Sequence, residues 1–171
     1  MDAQRLRELQ APLKARYNEN PASATLTLRA KGRVLQGAIT CMLETGKPGV
    51  AAGLHAAAGG DGSAACSGDM LLEALVGCAG VTLAAVATAM GIELASATVL
   101  AEGDLDFRGT LGVAKDAPVG FTRIRLTFAV DTTAPAEKVQ KLVELTERYC
   151  VVFQTLAKPP AIEVRIDTLG T

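Results

Sequence analysis

Tryptophan is absent from this 171-residue chain, aromatic residues make up 4% of it, and histidine occurs once. The core therefore has few large aromatic anchors. It must be filled by Ala, Val, Leu and Ile, which work through close approach of helix and sheet. Charge of one sign is also lacking: 17 Lys and Arg face 18 Asp and Glu, for a net charge of −1. A nucleic-acid partner is not expected, because phosphates call for a basic excess. No Lys/Arg cluster marks a membrane surface either. The first residues, Met1-Asp2-Ala3-Gln4-Arg5-Leu6-Arg7, are polar and charged, unlike a secretory signal. The expectation is a cytoplasmic protein whose 4 cysteines are thiols rather than bridges. What the chain does have is 49% hydrophobic residues. That excludes disorder and suffices for one core in a single domain over 1–171.

One charge-free run, Ala74 to Met90, is about as long as a short membrane span. It consists mainly of Ala, Gly, Thr and Val, which gain little in lipid compared with Leu, Ile and Phe. Small residues instead let other backbones approach closely, so the run reads as a helix packed inside protein, apolar nearly all round. The helix is expected over Asp69–Met90, capped by Ser67 or Asp69 and ended by Gly91.

Before it, Leu6, Leu9 and Leu13 give residues 1–20 a helical extension that Pro12 should break or kink. Alternation around Leu26 and Leu28, then Val34, Leu35 and Ile39, with Lys31-Gly32 between them, predicts a hairpin of two strands, and Gly46 to Ser67 reads as a long loop. After it, strands are expected at Ala97–Phe107 and Gly120–Asp131, antiparallel to each other. A helix opens at Thr133-Ala134-Pro135, with Val139, Leu142, Val143 and Thr146 on one face. Ile162, Val164 and Ile166 alternate as a last strand. The order predicts an α+β protein.

The cysteines are Cys41, Cys66, Cys78 and Cys150. Cys78 lies mid-helix on the face of Leu71, Leu75, Thr82 and Val86, where a thiol can simply fill a gap in the core. Cys150 follows Glu147-Arg148-Tyr149; if a new helical turn begins there, unsatisfied N–H groups would favour its thiolate. A metal site from Cys41, His55, Cys66 and Cys78 lacks the short paired spacings of zinc motifs. Gly59-Gly60-Asp61-Gly62-Ser63 follows no hydrophobic strand of a nucleotide fold, and no Gly-x-Ser-x-Gly elbow is present.

The stretch Ser67-Gly68-Asp69-Met70-Leu71-Leu72-Glu73-Ala74-Leu75-Val76-Gly77-Cys78 resembles the central-helix motif of the OsmC/Ohr family of hydroperoxide reductases. Ala89-Met90-Gly91-Ile92, Pro118-Val119-Gly120-Phe121-Thr122-Arg123-Ile124 and Tyr149-Cys150-Val151-Val152 follow in the family's order. The resemblance implies an OsmC-like fold, an antiparallel sheet wrapped around long central helices in an intertwined homodimer. It implies a thiol peroxidase in which Cys78 attacks the hydroperoxide and Cys150 resolves the sulfenic acid. It further implies an activating arginine, matched by Arg29 with Arg33 as substitute, held by an acid matched by Asp69. No metal, nucleotide or flavin cofactor is implied, and the electrons come from an external dithiol. Val151 stands where family members often carry Pro, and the segment around His55 looks inserted. The alternative is an OsmC-fold protein that binds a small apolar ligand without turnover.

Overall fold

The computed structural model describes residues 2–25, 27, 32–35, 40–43 and 50–167, with backbone alone at 32–35 and 40–43. Its first element, α1, spans Ala3–Glu19 and starts under a cap in which Asp2 accepts the Arg5 N–H at 2.7 Å. Pro12 lies inside this helix without ending it. The expected break fails because strong helix formers flank the proline and the carbonyl it strands sits on exposed Glu8, where water can satisfy it.

A hairpin forms in this region with a different register from the predicted one. β1 (Gly32–Leu35) runs antiparallel to β2 (Thr40–Leu43), with Val34 opposite Cys41, so Gly32, expected in the turn, lies in a strand. Leu26, Leu28 and Ile39 lie outside the described residues. The segment expected to be a loop contains two short strands. β3 (Ala51–Gly53) extends the hairpin antiparallel to β2, and β4 (Ala65–Cys66) lies parallel to β3. The sheet is thus mostly, not wholly, antiparallel. Turn chemistry hid the strands, since each is only two or three residues long among Gly and Ala.

The central rod, α2, spans Ser67–Met90. Cys66 occupies the cap position, and neither Ser67 nor Asp69 caps the helix. Gly91 closes it in the left-handed region at φ 65°, as expected. A long antiparallel ribbon follows, β5 (Ser96–Leu105) with β6 (Phe121–Asp131), joined through the short helix α3 (Phe107–Thr110). The chain then forms α4 (Ala136–Tyr149) and α5 (Val151–Ala157).

One stripe of α2, Leu75, Ala79, Leu83 and Ala87, spaced by one turn, is buried against the ribbon and the two C-terminal helices. Leu83 and Ala87 pack with Ile92 and fully buried Leu142. Thr146, also fully buried on α4, satisfies its hydroxyl by donating to the Leu142 carbonyl at 2.8 Å. The opposite face of α2 is only partly covered, by α1, and leaves Val81 74% exposed. Length and apolarity alone would let α2 span a membrane, but here α1, β5, α4 and α5 lie against it and side chains of β6 pack on its buried stripe.

The last predicted strand is not formed. Residues 159–167 are irregular, and Ile162, Val164 and Ile166 are 86%, 83% and 85% exposed. A strand exists only through pairing, and these residues pair with no described strand of this chain.

Candidate functional site

The junction between α4 and α5 is a single residue, Cys150. Its N–H donates to the Thr146 carbonyl at 2.9 Å to finish α4, and its carbonyl accepts the Gln154 N–H at 2.9 Å to begin α5. Its sulfur caps α5, accepting the Phe153 N–H at 3.5 Å. Gln154 braces the corner by donating from Nε2 to the Glu147 carbonyl at 2.9 Å. The helical turn expected after Cys150 is therefore real.

Cys150 is fully buried in one cluster with Leu75 and Ala79, and Cys78 packs against that cluster. Cys78 is half-buried, one residue before Ala79 on α2. Both are free thiols, close enough for each to affect the other's ionisation. The structure thus brings together two residues separated by 72 positions, and it gives them opposite acidities. Burial pushes the Cys78 thiol up, but hydrogen bonds outweigh it. The Val152 N–H, the Cys150 thiol and the Val151 N–H hold the Cys78 pKa below its ordinary value. Burial pushes the Cys150 thiol up, and the neighbouring Cys78 sulfur adds to the rise, against partial relief from the Phe153 and Val152 N–H groups.

This corrects the sequence-based expectation for Cys150. Amides at the start of a helix have no intrahelical acceptor. The Val151 and Val152 amides lower the Cys78 pKa, whereas the Phe153 and Val152 amides only partly offset the burial of Cys150 in apolar surroundings. Sequence reasoning missed the Val151 and Val152 amides as part of the site, because backbone donors leave no residue-type signal. Thr82 was recognisable by its spacing: one turn beyond Cys78, it donates to the Cys78 carbonyl at 2.7 Å.

The other expected residues are placed less centrally. Asp69 is exposed in the first turn of α2, nine residues before Cys78 and therefore about 13 Å away along the axis. It does not touch the thiol; a role in orienting an arginine would act from that distance. Arg29 lies outside the described residues. Arg33 is on β1 opposite Met42, with only its backbone described. Cys41 is on β2, likewise described by backbone alone.

Cys66 and His55 lie at the far end of α2, in a pocket of about 330 Å³ whose apolar lining includes Leu54, Leu71 and Val119. His55 stacks on Phe107 at 5.0 Å, and its Nδ1 accepts the Ala57 N–H at 3.0 Å. Twelve residues of helix put Cys66 about 18 Å from Cys78 along the axis. No His, Cys, Asp or Glu group suited to hold a metal ion occurs among the described residues.

Two further grooves flank the cysteine pair. One of about 400 Å³ lies between β6 and α5, lined by Leu75, Arg123, Ile124, Leu126, Glu147 and Phe153 among others. The other, of about 580 Å³, lies between α1, α2 and α4 and includes Thr82 and Tyr149, neighbours of the two cysteines.

A family model described as OsmC-like protein matches residues 60–165, well over half of the chain and including both cysteines. The chain belongs to the OsmC-like family. Solved structures agree on the fold. An OsmC-like protein from Mycoplasma pneumoniae superposes with a TM-score of 0.66 at 12% identity, covering 78% of this chain and 89% of its own. An organic hydroperoxide resistance protein from Elizabethkingia anophelis gives 0.63 at 15% identity, with 80% and 91% covered. The organic hydroperoxide resistance protein OsmC of Legionella pneumophila gives 0.61 at 18%, with 79% and 92% covered. No curated protein matches the sequence. The mixed helix-and-sheet architecture expected from the sequence is thus that of the OsmC-like fold.

Proposed function

We propose that this OsmC-like protein is a thiol-dependent peroxidase that reduces organic hydroperoxides. The observation that carries the reading is the packing of two free thiols of opposite acidity against one another in the core. In the first step the Cys78 thiolate attacks the terminal oxygen of the hydroperoxide. The O–O bond breaks, Cys78 becomes a sulfenic acid, and the alkoxide takes a proton and leaves as the alcohol. Next, Cys150 gives up its proton and its sulfur displaces the sulfenic oxygen as water, leaving a Cys78–Cys150 disulfide. Two electrons from an external dithiol restore both thiols.

A lowered pKa at Cys78 suits the attacking sulfur, since the thiolate is the nucleophile. A raised pKa at Cys150 keeps the second thiol protonated until it is needed. Arg29, or Arg33 in its place, is the proposed cation over the Cys78 thiolate, and Asp69 the acid that orients it. The chemistry is complete in the side chains and calls for no metal, nucleotide or flavin.

The same reading makes the protein a cytoplasmic homodimer. A partly uncovered apolar face on α2 and an unpaired segment carrying Ile162, Val164 and Ile166 are the surfaces that a second copy would cover. A second reading, an OsmC-fold protein that binds a small apolar ligand without turnover, draws support from the apolar pocket beside Cys66.

The two readings separate in a thiol titration. Reduced protein mixed with cumene hydroperoxide should lose two thiols rapidly, and Cys78→Ser should lose none of them at that rate. Unchanged thiols after long exposure would leave the ligand-binding reading standing.

A further inference from the structure

We propose that the pocket at the start of α2 is a second site, which holds a small, uncharged aromatic molecule offering one hydrogen-bond acceptor, such as an aryl ketone. Cys66, in its wall, lies about 18 Å along the helix axis from Cys78. The site is therefore separate from the cysteine pair, and it has a ligand whether or not that pair turns over.

Volume and walls set the size and character of the ligand. A cavity of about 330 Å³ is at the small end of ligand sites, which run from roughly 300 to 1,000 Å³. That suits one or two fused rings better than a long chain. Leu54, Leu71, Leu105, Phe107, Val119 and Phe121 supply the apolar wall, and no charged side chain lines it among the described residues. A carboxylate or ammonium placed there would lose its water and find no counter-charge. Leu54, Leu71 and Val119 are 43%, 38% and 65% exposed, so the apolar rim gains from being covered.

Two rings of the wall are fixed in advance. Phe121 rests on the backbone of β5 at Gly103, where even a Cβ would collide with its ring. Phe107 is stacked by His55, with ring centroids 5.0 Å apart. A wall already in place loses little freedom on meeting a rigid, flat ligand. His55 also supplies the one oriented polar group. Its Nδ1 accepts the Ala57 N–H at 3.0 Å, and a neutral imidazole bonded in this way carries its proton on Nε2. No described residue accepts from Nε2, and His55 lines the cavity. A carbonyl on the ligand provides the missing acceptor.

The test uses the full chain, reduced and without peroxide, so its result is independent of the peroxidase reading. The probe is 2-acetylnaphthalene. His55 is the only histidine, so its imidazole NMR signals report the site directly. The expected result is a saturable shift of those signals and slower alkylation of Cys66, with neither effect from 2-naphthoate at the same concentration. Two variants are read by probe fluorescence, which no tryptophan obscures. His55→Phe keeps a ring beside Phe107 but loses the donor. It should weaken 2-acetylnaphthalene roughly fivefold, the worth of one neutral hydrogen bond, and leave 2-ethylnaphthalene unchanged. At Gly68 a Cβ meets only ordinary contacts, 3.6 Å from Cys66 Sγ, Leu105 and Phe121, so Gly68→Leu should fold, fill the cavity and abolish binding of both neutral probes. No shift at His55, equal binding of 2-naphthoate, equal weakening of both neutral probes by His55→Phe, or full binding by Gly68→Leu would each overturn the proposal.

Discussion

Cys150 and Phe153 are joined by a hydrogen bond from backbone N–H to thiol sulfur, 3.5 Å long, that begins α5. The bond fixes where the next two amides point, and those amides serve Cys78. One cysteine therefore helps to set the acidity of the other through the helix it starts, as well as through direct contact.

Cys78 should alkylate as a more acidic thiol than free cysteine. An acid with a depressed pKa is ionised at lower pH, so the iodoacetamide rate should rise through a midpoint below about 8.5, the ordinary value. Cys150→Ala removes the neighbouring thiol and the α5 cap, and should move that midpoint upward. A midpoint at or above the free-cysteine value in the wild-type chain would contradict the hydrogen-bond account.

Removing the second thiol should stall the reaction. Cys150→Ser treated with cumene hydroperoxide should accumulate a dimedone-reactive sulfenic acid on Cys78, or over-oxidised forms of it. Cys66 cannot substitute within the chain, because the rigid helix holds it about 18 Å away along the axis. A Cys66–Cys78 bridge formed within one chain of that variant would refute the rod-like α2.

The core prediction concerns Leu142, which is fully buried between α4 and α2. Leu142→Ala leaves a cavity beside Leu83 and Ala87 and should cost about 2–5 kcal/mol, read as a lower Tm or denaturant midpoint. A loss below about 0.5 kcal/mol would mean that the two helices do not depend on this contact.

Assembly is checked by light scattering after size exclusion. The wild-type chain of 17.6 kDa should elute at twice its mass, and Val81→Asp should shift it toward monomer by placing a charge on the exposed apolar face of α2. A wild-type monomer at micromolar concentration would refute the dimer.

Much of this arrangement was legible in the residues. The uncharged run from Ala74 to Met90, the Gly91 stop and the alternation of Ile124, Leu126, Phe128 and Val130 each obey a local period, so α2 and β6 were readable. Features set by neighbours were not. Pro12 is tolerated because its stranded carbonyl is at the surface, β3 and β4 exist only through pairing, and Ile162 to Ile166 alternate without a described strand beside them. At the site, Cys78 and Cys150 were identifiable from their contexts. Which of them the helix-start amides favour was not, since that depends on the angle between α4 and α5 at Cys150.

The most direct test of the central claim is peptide mapping of the wild-type protein after one equivalent of cumene hydroperoxide. The account predicts a Cys78–Cys150 disulfide with Cys66 still open to alkylation. Both cysteines remaining reduced, or a bridge between any other pair, would contradict it.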